Sequence, residues 1–134
     1  MRLILPLLAF LLMQPAAAAE PCPPGTMATT VAEAYFGRNA QGREVVDDAA
    51  WAGFLDEVVT PAFPDGLSVL DAAGQWRNRA GTIGRERTKL LVVAMPGASL
   101  AEAASRMAPV REAYRTRFGQ ESVMLALSAA CLGF

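Results

Sequence analysis

Arg77 and Glu86 flank a short glycine-containing segment, and each brings its own chemistry. A guanidinium can grip a carboxylate or phosphate through two parallel hydrogen bonds. A carboxylate stripped of water can serve as a general base. Gln75 and Trp76 lead directly into Arg77, adding an amide and an indole that can stack on a ligand. Tyr35 offers a further acid or hydrogen-bond donor. Each residue also has a plainer use. Arg77 and Glu86 can neutralise one another, Trp76 can fill a dimer contact, and Tyr35 can anchor the end of a strand. Ser99 fits a helix cap better than a nucleophile.

A β-hairpin must position most of these groups. Leu67 to Trp76 predicts one strand, Arg77 to Gly81 the connecting loop, and Thr82 to Met95 a second strand. Pairing Leu67 with Val92 and Val69 with Leu90 turns those residues towards the helices. By period-two alternation, Gln75, Arg77 and Glu86 then share that side, with Asp71 and Thr88 between. Arg85, Arg87 and Lys89 fall on the opposite face beside Trp76, as a basic stripe. Such a stripe either attracts anions or is simply a solvated face.

The remaining elements frame this hairpin. Thr26 to Phe36 alternates and is rich in Thr and Val, which predicts a first strand. Gly37 to Arg43 reads as a polar loop. Asp47 or Asp48 can cap a helix whose apolar face is Trp51, Phe54, Leu55, Val58 and Val59, with Pro61 ending it. Residues 63–66 read as a turn. Ser99 and Glu102 form a capping box for a second helix, with Ala103, Met107, Val110, Tyr114 and Phe118 inward. Pro109 must kink or split that helix, and Gly119 ends it. Glu121 to Cys131 reads as the last strand. The order β-α-β-β-α-β predicts an α+β, ferredoxin-like two-layer sandwich. Its four-stranded antiparallel sheet, with strands counted along the chain, has the order 4-1-3-2.

Composition narrows the chemistry. The chain has no histidine, which excludes Ser-His-Asp and Cys-His catalysis and every histidine metal site. Its two cysteines, Cys22 and Cys131, cannot alone make a four-coordinate zinc site. They read as a disulfide, and the fold brings the start of the first strand beside the end of the last. Twelve basic residues against thirteen acidic ones give no electrostatic footprint for nucleic acid. No metal and no cofactor is expected.

The chain begins with Arg2, an apolar run from Leu3 to Met13, and alanines at 16–19. This is the pattern of a cleavable signal peptide over residues 1–19, leaving one domain over residues 20–134. The run is too short for a spanning helix, so no membrane span remains after cleavage. The expected location is periplasmic or secreted.

Several short stretches resemble a family of small secreted bacterial proteins catalogued as a domain of unknown function, number thirty-five seventy-four. They are Tyr35-Phe36-Gly37, Trp51 with Phe54-Leu55, residues 60–66, Gly74-Gln75-Trp76-Arg77, and Glu86 with Lys89. The resemblance implies no established activity, and no catalytic residue is carried over. From the residues themselves, the leading reading is an exported module that binds a small anionic ligand or a protein partner around Arg77 and Glu86. The alternative is a cofactor-free enzyme of the dimeric α+β barrel kind, with Glu86 or Tyr35 moving a proton. A homodimer through the open sheet face would suit either.

Overall fold

The structure is a computed structural model and describes residues 21–77 and 79–134. The leader read over residues 1–19 lies outside the described residues. Strand β1 (Met27–Gly37) is the spine of the fold. Its two faces differ sharply. Ala32, Ala34 and Phe36 are fully buried, whereas Val31, Glu33 and Tyr35 are half-exposed. The period of two therefore assigns one face to the helices and leaves the other open.

Two short strands follow, β2 (Asn39–Ala40) and β3 (Arg43–Glu44), paired as a small hairpin. Gln41 and Gly42 between them both have positive φ, 52° and 77°. That is the turn geometry whose twist suits a two-residue hairpin. The stretch expected to be a plain loop is therefore a structured arm.

Helix α1 (Asp48–Phe54) is capped by Asp47, whose Oδ1 accepts from the Ala50 N–H at 2.8 Å. It continues through a π-helical turn (Leu55–Val59) into a last short turn, α2 (Thr60–Ala62). Pro61 was expected to end the helix and instead sits inside that turn. The widened turn just before it, where the Thr60 N–H reaches the Leu55 carbonyl, accommodates the proline.

Strands β4 (Ser68–Arg77) and β5 (Ile83–Pro96) form the expected hairpin. Helix α3 (Leu100–Phe118) opens with the full Ser99–Glu102 capping box and ends on Gly119 at φ 64°. Pro109 does not split it; the helix is one element of 19 residues. Strand β6 (Met124–Leu132) closes the sheet. The sheet order is β4-β5-β1-β6, and every neighbouring pair is antiparallel. Cys22 and Cys131 form the disulfide, with Cα atoms 5.6 Å apart across a sequence separation of 109. Among the described residues, no helix is long and apolar enough to cross a membrane.

The register of the β4–β5 hairpin differs from the expected one by a single residue. Val69 pairs with Leu91, and Ser68 with Val92. A slip of one residue moves a strand's whole set of side chains to the other face. Leu91, Val93 and Met95 are the buried apolar residues of β5, opposite Ala34, Ala32 and Thr30 of β1. Gln75 and Arg77 keep their expected helix-facing side. Glu86 does not: it stands on the open face, with Thr88 and Trp76. Arg85, Arg87 and Lys89 turn the other way, towards the helices.

The core is built on aromatic contacts. Phe36 lies 5.3 Å from Trp51, 6.0 Å from Phe54 and 4.8 Å from Tyr114, between ring centroids. All three contacts are tilted or edge-on, the arrangement that aromatic quadrupoles favour. Replacing Phe36 with Ala should lower unfolding free energy by about 3–5 kcal/mol, the usual cost of emptying an aromatic core site. Urea unfolding of the oxidised protein measures this. A loss below about 1 kcal/mol, the range of a surface change, would contradict the place of Phe36 in the core.

Candidate functional site

Glu86 stands directly opposite Gly74 of β4. Its carboxylate reaches across to the end of β1. There Oε2 accepts the Asn39 backbone N–H at 2.9 Å. The approach is close enough that a Cβ on Gly37 would lie 2.6 Å from Oε1. A side chain at 37 would displace the Glu86 carboxylate, so the glycine there serves space and not an unusual backbone angle. Gly74 has a similar role, since a Cβ there would lie 2.9 Å from Thr88 Oγ1. The two glycines, with Ala72, give this part of the sheet a low floor.

Larger groups stand around that floor. Trp76 and Tyr35 rise from β4 and β1, the β2–β3 arm forms one wall, and the Gly119–Ser122 loop with Met124 forms another. Together they enclose a concavity of about 710 Å³ on the open sheet face. That volume is within the usual range for small-molecule sites. The charged side chains in its lining are Glu86 and Glu121. Gln75 also borders it. Among the described residues, no group of three or more Cys, Asp or Glu is placed to hold a metal ion.

Arg77 is elsewhere. Its Nη1 donates to the Gly81 carbonyl at 2.8 Å, closing its own hairpin loop. The Arg77–Glu86 pairing that the expected register implied is therefore replaced by two separate roles on opposite faces.

The arm is held by a residue the sequence reading passed over. Arg38 is completely buried. Its Nε donates to the Val46 carbonyl at 2.6 Å, Nη1 to Asp48 at 2.8 Å and Nη2 to Glu44 at 3.2 Å. Glu44 also receives Nε of Arg87 at 2.9 Å and, more closely, its Nη2. Lys89 Nζ lies 2.6 Å from Asp71 and 3.5 Å from Asp48. The expected basic stripe is thus largely spent on carboxylates beneath the sheet. The signal that could have revealed this was the burial parity of β1, which makes Phe36 and its paired residue Lys89 face inward.

Tyr114 links the core to the same place. Its hydroxyl donates to the Gly37 carbonyl at 2.9 Å. Burial pushes its pKa well up, so it acts as a fixed donor and not as an acid in the neutral range.

The Arg87 hydrogen bond holds the Glu44 carboxyl below its ordinary value of 4.5, and the Arg38 hydrogen bond holds Asp48 below 3.8. Carboxylates with depressed folded pKa values add stability that is complete above their ordinary values. It is lost as pH falls through the folded values. The urea midpoint should therefore fall as pH is lowered below 4.5. Arg38→Met should be less stable at neutral pH and should lose less on acidification. Equal acid slopes in wild type and Arg38→Met would contradict this account of the network.

Comparison with solved structures finds the same fold in a phage SAM lyase. In complex with S-methyl-5'-thioadenosine it matches with a TM-score of 0.60 at 14% identity, over 88% of this chain and 97% of that one. In the apo state it matches with a TM-score of 0.57 at 13% identity, over 87% and 97%. At such identity the likeness is one of fold. No curated protein sequence matches. A family model described as "Protein of unknown function (DUF3574)" matches residues 31–134, a span that takes in most of β1, the arm, the Glu86 hairpin and both cavity walls. The chain belongs to that family.

Proposed function

We propose that the open sheet face is a small-molecule-binding site and that the domain works outside the cytoplasm as a binding module. The observation that carries the reading is the concavity of about 710 Å³, with a carboxylate on its floor and two aromatic residues beside it. Such a combination of apolar lining with a few placed polar groups is typical of ligand sites. The β-α-β-β-α-β order and the β4-β5-β1-β6 sheet support a ferredoxin-like topology, in which one sheet face is left open. Export is supported by the sequence pattern of residues 1–19 and by a disulfide of the kind that persists in oxidising compartments.

A second reading has one observation in its favour. A solved protein of this fold is a phage SAM lyase in complex with S-methyl-5'-thioadenosine. Glu86 would then be the group that moves a proton, with Tyr35 nearby on the same face. This reading rests on fold analogy, and a fold supports many activities.

A thermal-shift screen of the oxidised residues 20–134 against a library of metabolites tests the proposal. At least one compound should raise the melting temperature of wild type and lose that effect in Glu86→Gln or Trp76→Ala. A binder indifferent to both variants would place the site elsewhere. Mass spectrometry of the binder after incubation separates the two readings. An unchanged compound supports the binding module, and a product lost in Glu86→Gln supports the enzyme.

A further inference from the structure

The charge and shape of the cavity narrow the class of ligand. This step rests on the binding-site reading above. We infer that the cavity takes an organic cation carrying N–H donors, an alkylammonium or guanidinium group, held by Glu86 and covered by Trp76.

The first argument is charge. The charged side chains lining the cavity are both carboxylates, Glu86 and Glu121. The cations of the same strand, Arg85, Arg87 and Lys89, alternate onto the far side of the sheet. Arg87 is bound to Glu44, and Lys89 to Asp71 and Asp48. Arg79 lies 3.7 Å from Glu121, but both are well exposed, so this pairing is weak. An anionic ligand would shed its water beside Glu86 with no cation in the lining to replace it. A cation replaces its water with the carboxylate.

The second argument is hydrogen-bonding capacity. An ionised carboxylate has about four acceptor positions. The Asn39 N–H takes one of them, at Oε2. A ligand that brings N–H groups uses the others, and one without them leaves them unmet.

The third argument is the aromatic wall. Trp76 pairs across the hairpin with Gly84, and a Cβ on that glycine would lie 3.7 Å from the indole Nε1. No side chain stands beside the ring on that strand position, and Trp76 remains 44% exposed. An indole and a carboxylate lining one cavity suit a cation through both the ring quadrupole and Coulomb attraction.

The test uses the oxidised residues 20–134 and calorimetric titration at fixed ionic strength. The probes are agmatine, butylamine, choline, citrate and a neutral butyl alcohol. Agmatine or butylamine should bind, choline should bind more weakly, and citrate and the alcohol should not bind. Glu86→Gln should weaken the amine at least tenfold. Trp76→Ala should weaken it several-fold, and it provides a second test if Glu86→Gln fails to fold. Glu33→Gln removes a charge from the same sheet face outside the cavity lining and should leave binding unchanged. Binding of citrate in place of the amines would overturn the ligand class while sparing the site. Equal losses in Glu33→Gln and Glu86→Gln would show a diffuse charge effect and overturn the assignment to Glu86. If no probe binds and the metabolite screen also yields nothing, the binding-site reading itself fails.

Discussion

Gly37 leaves the space that the Glu86 carboxylate occupies, and a side chain at 37 would push that carboxylate aside. Much else meets at this point. The residue before it, Phe36, packs in the aromatic core against Trp51, Phe54 and Tyr114. The residue after it, Arg38, is the buried guanidinium that holds the arm. The Gly37 carbonyl itself receives the Tyr114 hydroxyl from helix α3. Three consecutive residues thus join the core, the cavity floor and the cavity wall. A shift in the core packing around Phe36 would be felt at Glu86 through a short and stiff route.

Burying Arg38 removes a charge from water, which is costly unless its donors are well matched. Here they are met by one backbone carbonyl and two carboxylates. The arrangement has a consequence on the other side of the sheet. Glu44, Asp48 and Asp71 collect Arg38, Arg87 and Lys89 beneath the sheet. The open face is left with carboxylates as its charged lining. On the proposed reading, structural electrostatics on one face sets the ligand preference of the other.

Much of the frame could be read from the residues. The Ser99–Glu102 capping box, the Gly119 stop and the two-faced β1 each have a local cause, and each is present. The disulfide followed from two cysteines in a chain expected to be exported, and the expected topology agreed with it independently. The face of β5 could not be read locally. Residues 90–95 are continuously apolar, so the strand contains no alternation to reveal its parity. The answer lay in β1, where Ala32 and Ala34 are buried and face Val93 and Leu91. That one-residue difference separated Arg77 from Glu86 and joined Glu86 with Trp76. Arg38 was hidden for another reason. A lone arginine in a polar stretch looks solvated until its carboxylate partners fold around it. The β2–β3 arm escaped notice because its turn is Gln41-Gly42, lacking the Asn or Asp that usually marks such a hairpin.

The chain contains two tryptophans, and they report on different places. Trp51 is 4% exposed in the core, and Trp76 is 44% exposed beside the cavity. Their indole N–H signals in a proton–nitrogen NMR spectrum can be followed during titration with butylamine, together with the Asn39 backbone amide. The account predicts that the Trp76 and Asn39 signals move in a saturable way while Trp51 stays in place. Movement of Trp51 alone, or unsaturable drift of all three, would contradict a site on the open face at Glu86.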